Sequence, residues 1–157
     1  SIKPLRQLLA AFGIPSIVIY DNDVKEGQTP GEREFFTQEL CFEIEIVKNL
    51  INHSETALIR KIVQELDADG ENIVLDLEFV KKGFKKMRVD TSNYVPKKLC
   101  EIQEANTEEF SNMYSAWLMA KKGILLGRTI GDLLPSELIP SCYADAIRKA
   151  QEVAMNV

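Results

Sequence analysis

The chain has 157 residues, 45% of them hydrophobic and 27% charged, and 19 lysines and arginines against 24 acidic residues leave a net charge of −5. That is the composition of a globular chain of about one domain, and it argues against intrinsic disorder. It also argues against a protein that coats nucleic acid by bulk charge, while leaving open a metal-dependent enzyme, whose site must itself be acidic.

Residues 3–12 carry Leu5, Leu8, Leu9 and Phe12 at helical spacing, and Gly13 supplies a stop. IPSIVIYDND follows, with Ile17, Val18 and Ile19 as the continuous apolar run of a strand buried in a parallel sheet. Residues 24–31 read as a polar loop, and residues 32–52 as a helix on Phe36, Leu40, Ile44, Val47 and Ile51, although CFEIEIV could also alternate as a strand. Residues 54–66 form a second amphipathic helix, with Ser54 as N-cap and Ala57, Leu58, Ile62 and Leu66 facing a core. After the turn ADGEN, NIVLDLE is another short apolar strand, and a short helix follows over residues 79–84.

Residues 85–96 look irregular, and helices are expected over 97–104, 108–122, 129–134 and 141–155, with Pro135 and Pro140 as punctuation. The layout is α/β in one unit, 1–157, with few strands and extra helices in its C-terminal half. Two strands fall short of a usual sheet. Either strands hide among the expected helices or the first ones lie outside this chain, and the second is the expectation.

Cys41, Cys100 and Cys142 are widely spaced with no CxxC pair, which points to free buried thiols in a reducing compartment. His53 falls where a helix should end and reads as a solvated loop residue. No apolar run nears the roughly 18 residues of a membrane span. SIKPLRQLL lacks the layout of a signal peptide, so a cytoplasmic protein is expected.

Three features could carry chemistry. Asp21 and Asp23 fall at the C-terminal end of the first strand, where functional groups of open α/β sheets gather. Their hard oxygens suit Mg²⁺ or Mn²⁺, yet two aspartates can equally cap a turn. Asp76 and Glu78 repeat the spacing after the second apolar strand. If the two strands are parallel neighbours, both acidic pairs face one pocket, where like charges need a cation. The plainer alternative is that Glu78 caps a helix and Asp76 ends a strand.

Lys121-Lys122-Gly123 could offset charge in a phosphoryl transition state, or simply complement the negative end of a helix. Arg128 is a further basic candidate. Lys81, Lys82, Lys85, Lys86 and Arg88 form a basic cluster, either a phosphate-contact patch or a solvated face. Tyr114 and Trp117 read as core rather than as a stacking platform.

IPSIVIYDND, NIVLDLE and KKGILLGRTIGDLLP, in that order, resemble the TOPRIM domain of OLD-family (overcoming lysogenization defect) ATP-dependent endonucleases. The resemblance implies a TOPRIM-like, Rossmann-like parallel sheet and a DNA endonuclease with a two-metal Mg²⁺ or Mn²⁺ site. It assigns Asp21, Asp23, Asp76 and Glu78 as metal ligands and Lys122 as the catalytic lysine, with Lys121 as fallback. Lys81, Lys82, Lys85, Lys86, Arg88 and Arg128 become possible DNA contacts. Implied partners are DNA, an N-terminal ATPase domain of the same protein and a second copy in a homodimer, with no membrane.

The family's upstream EG glutamate has no counterpart, because Glu26-Gly27 follows the DxD pair. The expectation is therefore a domain incomplete at its N-terminus and weakly active or inactive alone. A non-catalytic regulatory or interaction domain is the alternative, followed by a primase- or topoisomerase-type TOPRIM and, last, a receiver-like phosphoacceptor.

Overall fold

The computed structural model describes residues 2–24 and 29–156. Its first elements are α1 (Ile2–Ala11), β1 (Val18–Tyr20), a 3₁₀ turn (Asn22–Val24), β2 (Glu34–Phe36), α2 (Phe42–Asn52) and α3 (Thr56–Leu66). There follow β3 (Val74–Leu75), α4 (Leu77–Met87), β4 (Lys97–Lys98), α5 (Thr107–Ala120), α6 (Ile124–Leu133) and α7 (Ser141–Met155). The fold is mixed α/β and mostly helical. The chain gathers into two compact units, Ser1–Cys41 with Ile139–Val157, and Phe42–Leu138. Of the loop expected over 24–31, residues 25–28, and with them Glu26-Gly27, lie outside the described residues.

In the first unit, Gly13 closes α1 as expected. It adopts φ 68°, and the Ile14 N–H reaches back to the Leu9 carbonyl at 2.9 Å, a left-handed helix end that glycine adopts without steric cost. The apolar stripe of α1 does not become core: Leu5, Leu8 and Phe12 are 54%, 55% and 74% exposed. β1 and β2 form a two-stranded parallel sheet that pairs Val18 with Glu34, Ile19 with Phe35 and Tyr20 with Phe36. α7 lies against both strands, and Lys149 anchors it to Glu32 at 3.0 Å.

β2 corrects the helix expected over residues 32–52, which begins only at Phe42. The adjacent aromatics Phe35 and Phe36 suit a strand, whose successive side chains point to opposite faces. The helical stripe read through Phe36 and Leu40 was a chance continuation of the true one in α2.

The second unit is built around α5, whose Phe110, Met113, Tyr114, Ala116, Trp117 and Leu118 are all buried. α4 and α2 pack against α5, and α3 against α6 and α2. The α4–α5 approach is close enough that a Cβ on Gly83 would lie 2.8 Å from the Ala116 Cα. Tyr114 and Trp117 are core, as expected.

Several boundaries differ from the sequence reading. Ser54 is not the N-cap of α3; it is in the left-handed region at φ 57°, ending α2, with the Glu55 N–H bonded to the Leu50 carbonyl at 2.8 Å. Glu55 holds the cap position without a side-chain bond. α4 starts earlier and ends later than 79–84, so only residues 88–96 of the expected irregular stretch lack a helix. Residues 97–104 hold β4 and a 3₁₀ turn, Leu99–Glu101, rather than a helix. α6 starts at Ile124, before the expected 129, whereas α7 matches its expected span.

β3 pairs with β4 antiparallel, Val74 with Lys98 and Leu75 with Lys97, in a sheet separate from β1–β2. The expected parallel adjacency of the two apolar strands is therefore absent. No disulfide joins the three cysteines among the described residues; Cys41 and Cys142 are buried, but Cys100 is exposed against expectation. Among the described residues, no helix is long and apolar enough to cross a membrane.

Candidate functional site

The first acidic pair is where the sequence puts it. β1 ends at Tyr20, the half-buried Asp21 follows, and the exposed Asp23 lies in the 3₁₀ turn. The residue between them fixes this turn. The Asn22 N–H donates to Thr37 Oγ1 at 3.0 Å, and its side-chain amide donates to the Gln38 carbonyl at 3.1 Å. Thr37 is itself buried; its N–H donates to the Tyr20 carbonyl at 3.0 Å and its hydroxyl to the Glu39 carbonyl at 2.6 Å. Two carboxylates thus leave a pinned backbone at the carboxyl end of a parallel strand. Two such hard oxygen donors fit Mg²⁺, which takes one or two carboxylates and fills its remaining positions with water or phosphate.

The second pair has another setting. Asp76 Oδ1 accepts the Phe79 N–H at 2.9 Å and caps α4, while Glu78 lies in the first turn, exposed and 3.7 Å from Lys81. The capping role falls to Asp76, not Glu78. A carboxylate there is favoured by the exposed N–H groups of the helix start. Asp21 and Asp23 belong to the first unit, and Asp76 and Glu78 to the second. Among the described residues, no three His, Cys, Asp or Glu side chains form a group able to hold a metal ion.

Lys121 ends α5, with its ammonium 3.4 Å from Asp67 and 5.4 Å from the centre of the Trp117 ring. Lys122 is exposed, and Gly123 follows at φ 147°, opening α6. Arg128 is exposed on α6 and faces Asp132 at 3.8 Å. The basic cluster does come together: Lys81, Lys82 and Lys85 are exposed on α4, Lys86 is half-buried, and Arg88 closes the helix in the left-handed region at φ 58°. His53 is exposed, with Nδ1 2.8 Å from the Asn49 carbonyl.

Two polar arrangements escaped the sequence reading. In the second unit, Arg60 donates to Glu71 at 3.0 Å and to the Tyr114 hydroxyl, and its guanidinium lies 5.3 Å from the centre of the Phe110 ring. Burial opposes the Arg60 charge, but Tyr114, Glu71 and Glu104 outweigh it and hold its pKa above the ordinary value.

In the first unit, a cleft of about 530 Å³ opens between α1 and β1, with Lys3, Arg6 and Arg33 among its walls. Arg6 is held by Glu34 at 2.7 Å and reaches the Tyr20 hydroxyl at 3.3 Å. That contact, with the Gly31 N–H, keeps the Glu34 carboxyl below its usual range. The visible signal was Lys3, Arg6 and Gln7, one polar face of α1 at three- and four-residue spacing. Arg33 arrives from a distant loop and had none. Compared with protein-family models, curated proteins and solved structures, the chain matches none.

Proposed function

We propose that this chain is a metal-dependent DNA endonuclease domain of TOPRIM-like fold, belonging to an OLD-family ATP-dependent nuclease that works in the cytoplasm. The observation that supports it most is the DxD turn. Asp21 and Asp23 leave the carboxyl end of a parallel strand on a backbone pinned by Asn22 and Thr37. Asp21 and Asp23 would hold Mg²⁺ or Mn²⁺, and a bound cation there supplies Lewis acidity toward water and phosphate oxygens. Lys122, exposed and with its ammonium uncommitted to the Asp67 contact that Lys121 makes, is the better of the two lysines for charge on a leaving oxygen. Asp76 and Glu78 complete the reading as ligands of a second cation. The ATPase domain and a second copy are the partners it implies.

One observation favours a different reading, a non-catalytic interaction domain: Asp76 is engaged in capping α4. Titration of Mn²⁺ into the chain and into the Asp21→Ala/Asp23→Ala variant, followed by heat release, discriminates between them together with plasmid nicking. The nuclease reading expects Mn²⁺ affinity to fall at least ~10-fold in the variant, and nicking to depend on metal and on Lys122. Equal binding by both proteins removes the DxD assignment. Metal binding without nicking, with or without the ATPase domain, favours the interaction domain.

A further inference from the structure

We infer that the cleft between α1 and β1 is a seat for the phosphate backbone of a nucleic-acid strand, with Lys3 and Arg33 as its phosphate contacts. The choice of a phosphodiester over other anions rests on the nuclease reading; the charge argument does not. The residues lining the cleft include Lys3, Arg6 and Arg33 and no carboxylate, in a chain whose net charge is −5. A concave wall of one sign concentrates counter-charge in a way that scattered surface lysines do not.

The three cations are not equivalent. Arg6 is neutralised by Glu34 at 2.7 Å and serves as a fixed part of the wall. Lys3 and Arg33 make no ion pair among the described residues, and Arg33 influences Glu32 only through space. Two positive charges without an ion-pair partner among the described residues therefore line a cavity of about 530 Å³, large enough for a sugar-phosphate unit.

The neutral lining agrees with this. Gln7, Ser16 and Tyr20 contribute an amide and two hydroxyls, groups that contact phosphate and sugar without reading sequence. Ile14 and Pro15 provide an apolar wall for the sugar face. Tyr20 is also the last residue of β1, so the chain passes directly from the cleft wall to Asp21. The seat and the acidic pair thus share one short strand.

The test is fluorescence anisotropy of a labelled single-stranded DNA 20-mer in EDTA over a series of salt concentrations. The wild-type protein should bind, and Lys3→Gln/Arg33→Gln should bind ~10-fold or more weakly. Losing two phosphate contacts should also flatten the slope of log K against log salt by ~1.4. Lys61→Gln, on α3, serves as the charge control, and circular dichroism verifies that α1 remains helical.

No binding by the wild type, or equal losses in the variant and the Lys61 control, overturns the proposal. Inorganic phosphate and ATP are run as competitors. If either binds the cleft as tightly as the oligonucleotide, the site takes small anions and the strand assignment falls. Failure of the two readings is separable. A wild type that binds the strand in EDTA but never nicks with Mn²⁺ loses the nuclease reading and keeps the cleft. Metal-dependent nicking with unchanged affinity in Lys3→Gln/Arg33→Gln loses only the cleft.

Discussion

The Tyr114 hydroxyl lies 2.8 Å from both carboxylate oxygens of Glu71, inside the second unit and beside the Arg60 guanidinium. Glu71 is 5% exposed, and its backbone carbonyl accepts the Cys100 N–H at 3.0 Å, so side chain and backbone are both engaged. Burying a carboxylate is costly unless partners offset it, and here a guanidinium and a phenol both do. Removing Glu71 leaves Arg60 and the Tyr114 hydroxyl facing each other without their acceptor. Glu71→Ala should lower unfolding free energy by ~3 kcal/mol, and Tyr114→Phe by ~1–2 kcal/mol, read from urea denaturation. A loss under ~1 kcal/mol in Glu71→Ala would mean that water replaces the carboxylate and the network is not a determinant of stability.

The same contact fixes an alkaline dependence. Burial, then the Glu71 carboxylate, pushes the Tyr114 pKa well above the ordinary value of 10.0. The folded protein therefore keeps this proton at a pH where the unfolded chain releases it. The resulting stabilisation is complete below pH ~10 and is lost as pH rises toward the folded pKa. Between pH ~10 and ~12 the wild type should lose stability more steeply than Tyr114→Phe. Parallel curves for the two proteins in chemical denaturation would show that Tyr114 titrates as it does in the unfolded chain.

Gly83 is a glycine inside α4, where alanine would ordinarily stabilise a helix by ~1 kcal/mol. Packing reverses that sign. A Cβ there would lie 2.8 Å from the Ala116 Cα and 2.9 Å from its Cβ, and a backbone atom cannot step aside as a flexible side chain can. Gly83→Ala should destabilise the protein by ~1–3 kcal/mol net of the propensity gain. A raised thermal midpoint would mean that α4 moves off α5 at little cost.

Much of this was legible where one periodicity ran between clear punctuation. α7 follows Pro140 and runs as read, and Gly13 closes α1. The strands β2 and β4 were not legible, because three and two residues are too few to show a period of two against a flanking helical one. Ser54 and Arg88 were misleading in another way. Both hold left-handed helix ends that glycine usually takes, so neither stop was marked in the sequence. At the site, the DxD turn was visible because its position needs only a strand and its end. The Arg33 side of the cleft and the Arg60–Glu71–Tyr114 network depend on contacts between residues far apart in sequence, which periodicity does not encode.

Thr37 offers the sharpest handle on the DxD turn because it is neither aspartate nor exposed. Its hydroxyl accepts the Asn22 N–H at 3.0 Å and donates to the Glu39 carbonyl at 2.6 Å. Valine has nearly the same shape and can do neither, so Thr37→Val leaves one N–H and one carbonyl in want of partners at a cost of ~1–3 kcal/mol. The backbone bond from the Thr37 N–H to the Tyr20 carbonyl survives, so β1 and β2 should remain paired. The turn between Asp21 and Asp23 should loosen, and Mn²⁺ affinity should fall by ~10-fold, as when other groups that orient metal ligands are removed. Thr37→Ser retains the hydroxyl and should bind like the wild type. If Thr37→Val binds Mn²⁺ as tightly as Thr37→Ser, the two aspartates do not need the fixed turn to hold the cation.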